Sequence, residues 1–319
     1  MYKFGHHLHS LMLLDKRKWK VLDLSFYGVP QRRRRCIFHH GFDLPPADAA
    51  AMTLRSCGFD GVVGSACHIH QDTWRDLSHP AHTVYSRGRP YLVLDNGTRR
   101  VVTLDESAQL QGFPIALFRS TVAAFGPLRG SLRKWRHIVD DAVPPPVAKR
   151  IVLAALAGRD TNGSDVVVDL FCGGGGFGVG AAMAGVQNII AVDSDPMRLR
   201  IYKAMVGSFG ARVQTCCCDL ADKNAWERLC NMITESEFTP RHIHASPPCV
   251  GVSAANWRRA EAQPQGLAFL HLVNAFVRAF PTATVSAENG PRLVSTYAEF
   301  SSDGDDSIYV ASKDSAAVT

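Results

Sequence analysis

The chain has 319 residues, of which 46% are hydrophobic, and it carries 35 Lys and Arg against 29 Asp and Glu. A chain of this length and apolar content buries a large core, which excludes a largely disordered protein and predicts one large domain or a large and a small one. No apolar run reaches the 18 residues that suggest a membrane span, and the N-terminal segment lacks a signal-peptide cleavage pattern. We therefore expect an intracellular protein without a membrane partner.

The nine cysteines are an odd number and show no Cys-x-x-Cys spacing, which favours a reducing compartment over a disulfide framework. Cys57, Cys67, His68 and His70 form the one conceivable metal-binding group. Zinc ligands usually come in tighter pairs than Cys57 and Cys67, so we predict no metal site.

Charge is distributed unevenly along the chain. Residues 1–150 hold 22 Lys and Arg against 12 Asp and Glu, whereas residues 151–319 hold 13 against 17. A basic first half suggests a polyanionic partner, although a solvated basic face explains the same numbers.

The first 150 residues begin with two predicted strands, KVLDLSF (20–26) and CIFHHGF (36–42), which flank the turn YGVPQRRRR. Residues 42 to about 98 are rich in Gly, Asp, His and Pro without clear periodicity, which predicts a small loop-rich region. Thr103, followed three residues later by Glu106, predicts a helix that opens with a capping box.

Four consecutive arginines follow Gln31 in this region. Such a run is usually a solvated patch or a phosphate-binding strip. In a strand, alternate residues share a face, so Gln31, Arg33 and Arg35 are expected to point one way and Arg32 and Arg34 the other.

From Asp165 onward, short apolar runs alternate with helical patterns, which predicts a doubly wound, mostly parallel α/β sheet. The predicted strands are DVVVDLF (165–171), NIIAVDSD (188–195), ARVQTCCCDL (211–220), HIHASPP (242–248) and TATVSAEN (282–289).

Two helices are predicted between these strands. Asp195 caps and Pro196 opens the first. The second places five apolar side chains on one core-facing side: Leu267, Leu270, Val273, Val277 and Phe280. The polar tail after Phe300 is expected to be mobile.

The stretch DLFCGGGGFGVG (169–180) is a glycine-rich turn between a strand and a helix, where backbone N–H groups can approach a ligand. Asp193 and Asp219 end the next two strands, as acids that bind ribose hydroxyls do. Together they predict an adenosine-type cofactor, either a dinucleotide or S-adenosylmethionine. A tight turn with helix-capping acids is the alternative.

The stretch HASPPCVGVS (244–253) places Cys249 just past the carboxyl end of the fourth strand, the edge where open α/β sheets bind ligands. Pro247 and Pro248 fix the approach of the chain, and Gly251 leaves the following loop free to close over a substrate. An ordinary buried cysteine is the competing interpretation.

Glu288 ends the fifth strand in SAENGPR, so its carboxyl group is expected to face the same pocket as the Cys249 thiol. A nucleophile that adds to an electron-poor ring needs a proton donor on the far ring nitrogen. A partly desolvated Glu with a raised pKa supplies one.

With these motifs the chain resembles the DNA (cytosine-5)-methyltransferases over most of residues 20–295. The resemblance is carried by six segments: DLFCGGGGFGVG as the cofactor loop, SPPCVGVS as the nucleophile loop, ENG as the Glu-Asn-Val motif, GVPQRRRR as the Gln-x-Arg-x-Arg strand, RVVTLDESAQLQGFP as the helix beyond the target-recognition domain, and DDAVPPPVAKR as the Ala-Val-Pro-Pro helix.

The resemblance implies a cytosine methyltransferase that uses S-adenosylmethionine and acts on double-stranded DNA. Cys249 attacks carbon 6 of a flipped-out cytosine and Glu288 protonates or hydrogen-bonds ring nitrogen 3. Arg35, with Arg33 and Gln31, holds the nucleotide, and Asn289 braces the loop that bears Cys249.

The resemblance also implies the binding residues. The cofactor residues are Asp169, Phe171, Gly173, Gly175, Asp193, Asp219, Pro248 and Val143. The substrate residues are Gln31, Ser253, Arg100 and Thr103. Asp193 contacts the ribose, Asp219 the adenine amino group and Phe171 the adenine ring.

The order of the motifs differs from that of the family, in which the cofactor loop comes first and the Ala-Val-Pro-Pro helix last. A circular permutation accounts for this order, with the usual ends joined near residues 151–164. We expect a catalytic domain of residues 1–41 and 139–300, a small target-recognition domain of residues 42–138 and a mobile tail of residues 301–319. Residues 1 and 300 are then expected to lie near one another.

Departures from the family pattern are Val250 for Gln, Gly290 for Val, and Asp140–Asp141 for Gly-Asn; the last pair places two carboxylates near the presumed cofactor site. The recognition region is short, so we expect a short or loosely specified target. We expect a cytoplasmic monomer, bacterial or phage-encoded, or a protein otherwise with access to DNA. An RNA cytosine-5 methyltransferase, an inactive nucleic-acid-binding pseudoenzyme and a small-molecule methyltransferase remain alternatives.

Overall fold

A computed structural model describes residues 18–59, 62–65, 73–84, 90–93, 98–128, 133–159, 163–220, 222–248 and 275–290. Residues 1 and 300, the tail after residue 300, and Leu267, Leu270 and Val273 of the predicted second helix lie outside these ranges. None of the helices within them is long and apolar enough to cross a membrane.

The strands are β1 (Trp19–Asp23), β2 (Gln31–Arg32), β3 (Arg34–His40), β4 (Val62–Ser65), β5 (Thr73–Arg75), β6 (Ala81–His82), β7 (Pro90–Val93), β8 (Arg99–Val101), β9 (Asp165–Leu170), β10 (Asn188–Asp193), β11 (Arg212–Cys217), β12 (Thr239–Ala245) and β13 (Thr284–Asn289). The helices are α1 (Leu104–Leu110), α2 (Ile115–Phe125), α3 (Arg133–Asp140), α4 (Pro145–Leu156), α5 (Gly176–Met183), α6 (Pro196–Gly207) and α7 (Lys223–Glu235), and a short helical stretch covers residues 275–279.

The main sheet has seven strands in the order β1-β3-β13-β12-β9-β10-β11. From β13 to β11 all neighbours are parallel, whereas β3 runs antiparallel to both β13 and β1. Counted from β9, the five parallel strands have the spatial order 3-2-1-4-5 of a doubly wound sheet. This confirms the predicted doubly wound, mostly parallel α/β fold class.

The central strands are apolar on both faces because helices cover both sides of the sheet. Val167 belongs to a core shared with α4, α5 and α6, while its neighbours Val166 and Val168 belong to a second core that includes Leu229 and Ile233 of α7. All five strands predicted from Asp165 onward are present, and Asp195 caps α6 by accepting hydrogen bonds from the first backbone amides.

The loop-rich interval before α1 contains a four-stranded antiparallel sheet in the order β5-β4-β7-β8, which the sequence did not predict. These strands have three or four residues each, too few to show a period in the sequence. The predicted capping box is present, because Thr103 and Glu106 bond each other's backbone amides at the start of α1.

Helix α5 packs against α4 at backbone contact distance. A Cβ atom on Gly180 would lie 2.4 Å from the Pro145 carbonyl oxygen and 2.5 Å from Ala148 Cβ. A Cβ atom on Gly176 would lie 2.3 Å from the Val143 carbonyl oxygen. The glycines of α5 therefore permit a helix approach that no other residue type allows.

The helix-covered face of β12 and β13 carries a buried row of polar side chains. The ring nitrogens of His242 lie 2.8 Å from Thr284 Oγ1 and 2.9 Å from Ser286 Oγ, and His244 Nδ1 lies 2.8 Å from the same Ser286 oxygen. Phe177 of α5 stacks on His244 with ring centroids 3.7 Å apart. Burial lowers the pKa of His242 to about 3 and that of His244 well below its ordinary value.

The α4–α5 contact predicts the effect of a single methyl group. Gly180→Ala should destabilise the protein by about 1–3 kcal/mol, because the methyl group meets backbone atoms that cannot move aside. Gly207→Ala is the matched control, since no atom lies within 4 Å of its Cβ position, and it should be neutral or slightly stabilising. Urea unfolding measures both; equal free energies of unfolding for the two variants would contradict the close approach.

The buried histidines predict a loss of stability in acid. The folded state keeps His242 neutral down to about pH 3, whereas the unfolded chain protonates it near 6.5. Below pH 6.5 the free energy of unfolding should therefore fall by about 1.4 kcal/mol per pH unit for this residue. His242→Gln should flatten the slope between pH 6.5 and 5, because the variant has no group at this position to protonate. A wild-type slope in His242→Gln would contradict the assignment.

Candidate active site

The glycine-rich turn joins β9 to α5 through three residues in left-handed conformations: Phe171 (φ 57°), Gly173 (φ 54°) and Gly175 (φ 106°). A left-handed conformation is rare for a residue with a side chain, and Phe171 is the one non-glycine case among the described residues. The Gly173 amide donates a hydrogen bond to Asp193 Oδ2 over 2.9 Å. Asp193 thereby fixes the turn from the neighbouring strand end.

The surroundings of this turn fit an adenosine-type cofactor. No atom lies within 4 Å of the Cβ position of Gly173, so there is open space beside the turn. Each Asp193 oxygen accepts one backbone N–H and keeps a second acceptor position for a hydroxyl group. Asp219 is exposed just past the end of β11, and Phe171 is partly buried.

Val143 and Pro248, two further residues predicted to bind the cofactor, differ in exposure. Val143 is buried, with its carbonyl group against the start of α5, and Pro248 is exposed at the end of the segment that follows β12. Among the predicted cofactor residues, Gly173 of the turn and Asp193 at the end of β10 are joined by a direct hydrogen bond.

Asp169 lies inside the sheet rather than at its edge. It is buried, and Tyr202 of α6 donates a hydrogen bond to its Oδ2 over 3.0 Å. Its Oδ1 has no hydrogen-bond partner within the described part of the chain. Burial raises the pKa of Asp169 to about 8, against which the Tyr202 hydrogen bond acts. Nothing in the sequence indicated Tyr202.

Glu288 is held by two neighbours at the end of β13. Arg35 Nε lies 2.7 Å from Glu288 Oε1, and Ser246 Oγ donates to Oε2 over 2.9 Å. The Glu288 residue is only 8% exposed, so this ion pair is largely shielded from water. No pattern in the sequence distinguishes Ser246, although the residue lies within HASPPC.

Asn289 contacts the start of the segment that leads to Cys249. Its Nδ2 donates to the Pro247 carbonyl oxygen over 3.3 Å, and its Oδ1 accepts the Gly290 amide. Cys249, Val250 and Ser253 themselves lie outside the described residues.

The predicted alternation of side chains after Gly28 is confirmed: Gln31 and Arg33 are buried and Arg35 is partly buried, whereas Arg32 and Arg34 are exposed. Arg35 alone of the three inward residues contacts Glu288.

Gln31 and Arg33 instead bind residues that follow them in the chain. Arg33 Nη1 donates to the Val84 carbonyl oxygen, and Gln31 Oε1 accepts the Val84 amide while its Nε2 donates to the Leu110 carbonyl oxygen. Burial, with Arg35 nearby, lowers the pKa of Arg33 to about 9. Both residues connect the strand segment to Val84, and Gln31 also connects it to the end of α1.

Arg100 and Thr103 stabilise the start of α1. Arg100 forms two hydrogen bonds with the Glu106 carboxylate, of 2.8 and 2.6 Å, and Thr103 caps the helix. Their predicted substrate role stays a prediction.

Asp140, the first of the two carboxylates that replace Gly-Asn, is buried at the end of α3. Burial raises its pKa to about 6, while Arg136 opposes the shift and Asp141 adds to it.

No group of three or more His, Cys, Asp or Glu side chains suited to a metal ion occurs within the described ranges. Of the residues considered for a metal site, Cys67, His68 and His70 lie outside those ranges.

The glycine turn, the acids at the strand ends and the Glu288 carboxylate all lie at the carboxyl edge of a doubly wound sheet, which is the arrangement of a nucleotide-cofactor-binding enzyme. Residues 166–302 match the profile of the C-5 cytosine-specific DNA methylase family. This match confirms the resemblance for that part of the chain. The matched range begins after the GVPQRRRR and AVPPP segments.

Among solved structures, a SAM-dependent methyltransferase from Agrobacterium tumefaciens is similar at 16% sequence identity with a TM-score of 0.23. The similarity covers 73% of this chain and 60% of that chain. A comparison with curated proteins gives no match.

The buried carboxyl group of Asp169 predicts a pH dependence of opposite sign to that of the histidines. The pKa of Asp169 is about 8 in the folded protein and 3.8 in the unfolded chain. Its contribution to the free energy of unfolding is therefore fully present in acid and is lost as the pH rises towards 8. Asp169→Asn keeps the acceptor for Tyr202 and cannot ionise. As the pH rises from 5 to 7, the free energy of unfolding of Asp169→Asn should increase by about 2–3 kcal/mol relative to that of the wild type. A stability difference that does not change with pH would show that Asp169 is ionised in the folded protein.

Proposed function

We propose that the protein is a DNA (cytosine-5)-methyltransferase. The observation that carries the proposal is the position of Glu288, which lies at the carboxyl edge of the sheet next to the segment leading to Cys249 and is held by Arg35. The family match over residues 166–302 includes both Cys249 and Glu288.

The proposed chemistry uses these side chains in sequence. The Cys249 thiolate bonds to carbon 6 of cytosine while Glu288 donates a proton or hydrogen bond to ring nitrogen 3. Carbon 5 then takes the methyl group and loses its own proton to a base. With the loss of that proton, the sulfur–carbon bond breaks and releases the thiolate. Arg35 holds the Glu288 carboxyl group in place, and Asn289 fixes the segment before Cys249 through the Pro247 carbonyl.

The family match implies S-adenosylmethionine, which supplies the methyl group when bound. Asp193 is proposed to accept the ribose hydroxyls, Asp219 the adenine amino group, and Phe171 to pack on the adenine ring. The Gly173 amide donates a hydrogen bond to Asp193, and open space lies beside Gly173. Both observations support this assignment.

Double-stranded DNA is the proposed substrate. Within the duplex, stacked neighbouring base pairs cover both faces of the cytosine ring, so a thiolate cannot approach carbon 6. The cytosine must therefore leave the stack, at a cost of about a few kcal/mol. Exposed Arg32, Arg34 and Arg99 belong to the basic first half of the chain, which supports phosphate contacts and a salt-dependent affinity.

The circular permutation is part of the proposal. The five parallel strands counted from β9 follow the doubly wound order, and the next positions at the β13 edge are occupied by β3 and β1 from the start of the chain. In a chain that opened with the glycine turn, those positions would be filled by strands following β13. Joining the family's ends between α4 and β9 accounts for both the motif order and this sheet order.

The function is tested by expressing the chain in a bacterial host without cytosine methylation and by bisulfite sequencing of its DNA. The wild type should produce 5-methylcytosine in a short sequence context. Cys249→Ser should abolish it, and Glu288→Gln should lower it at least 100-fold by removing the proton donor. Cys230→Ser, in α7, is the matched control and should retain activity.

Purified protein extends the test to the alternative substrates. Labelled methyl groups taken up by RNA and not by DNA would replace the proposal with an RNA methyltransferase. Absence of S-adenosylmethionine binding at millimolar concentration in calorimetry would indicate a nucleic-acid-binding pseudoenzyme. Full activity of Cys249→Ser would overturn the mechanism.

A further inference from the structure

Ser246 forms a hydrogen bond with one of the two oxygens of the Glu288 carboxylate. Its hydroxyl group donates to Oε2 over 2.9 Å, while Arg35 Nε donates to Oε1 over 2.7 Å. The two donors come from different elements, the segment after β12 and strand β3. Both oxygens of the carboxylate are thus held, which fixes the orientation of its plane.

The main chain holds Ser246 in place independently of Glu288. Its backbone amide donates to the carbonyl oxygen of Leu170, the last residue of β9, over 3.2 Å. On its other side, the Pro247 carbonyl accepts Asn289 Nδ2. Ser246 therefore connects the strand that precedes the cofactor turn to the strand that carries Glu288.

Because Glu288 is buried, its hydrogen bond from the Ser246 hydroxyl group is important for its orientation. Glu288 is 8% exposed, so water replaces a lost donor poorly, and hydrogen bonds to charged groups are stronger than those between neutral groups. Each carboxylate oxygen has two acceptor positions, and each uses one for a neighbour within the protein. The remaining positions are available to the exocyclic amino group of the base, which donates, and to the proton that Glu288 shares with ring nitrogen 3.

We propose that Ser246 is a positioning residue for the methyl-transfer reaction, which orients the Glu288 carboxyl group towards the base through its hydroxyl group. The inference rests on the proposed function. Ser246 does not touch the base; it acts through Glu288, and its contribution is realised in the chemical step rather than in DNA binding.

A pair of isosteric variants tests the role of the hydroxyl group. Ser246→Thr keeps the hydroxyl and Ser246→Val replaces it by a methyl group of the same size. Steady-state kinetics on a methylatable DNA duplex should show kcat of Ser246→Val reduced roughly 10- to 100-fold relative to Ser246→Thr, from the loss of one charge-assisted hydrogen bond. KM for DNA should stay within about twofold, because ground-state binding is unaffected.

A double-mutant cycle separates positioning from general structural damage. In a Glu288→Gln background, the change from Thr to Val at position 246 should have little further effect on kcat, because the carboxylate that it orients is already gone. If the branched side chains prevent folding, Ser246→Ala and the wild type form the comparison. Thermal unfolding of every variant is measured alongside.

The outcomes distinguish this inference from the proposed function. A wild-type protein that makes no 5-methylcytosine contradicts the function itself. An active wild type with equal kcat for the Thr and Val variants overturns the role of Ser246 and leaves the function standing. An equal loss from Thr to Val in both backgrounds would show a structural role alone.

Discussion

The parallel pairing of β9, β12 and β13 is the constraint on which the site depends. In this register Leu170, Ala245 and Ala287 lie in one row across the three strands. The next residue of each strand is then Phe171 of the glycine-rich turn, Ser246 of the segment that leads to Cys249, and Glu288. Three chain segments far apart in sequence therefore begin their functional turns at one level of the sheet, and β3 adds Arg35 from the antiparallel side.

The scaffold behind this row combines close packing with buried polar groups. The glycines of α5 allow backbone contact with α4, and the histidine and serine side chains of β12 and β13 hydrogen-bond one another where an apolar pair would usually lie. Within the described residues His244 Nε2 has no partner. Buried hydrogen-bonded networks favour one arrangement over others, since each group loses its partner if the strands shift. Such rigidity suits a site built from side chains of different strands.

Much of this arrangement could be predicted from the sequence, for identifiable reasons. Apolar runs of DVVVDL and NIIAVD mark strands buried on both faces, and the two-residue period correctly separates Gln31, Arg33 and Arg35 from Arg32 and Arg34. Local rules also located the helix caps at Thr103 and Asp195. The contacts that depend on tertiary structure were not predictable: Arg33 binds Val84, Tyr202 binds Asp169 and Ser246 binds Glu288, each across a long stretch of chain. The short strands of the region before α1 carried too few residues for a periodic signal.

The central claim is that a cysteine and a glutamate act on one extruded cytosine, and trapping the covalent intermediate tests it most directly. A DNA duplex with 5-fluorocytosine at the methylated position can form the bond to sulfur and accept the methyl group, but it lacks the carbon-5 proton whose loss releases the enzyme. Incubation with S-adenosylmethionine followed by peptide mass spectrometry should place the nucleotide on Cys249. An active enzyme that forms no adduct with this duplex, or that forms it on another cysteine, would contradict the account.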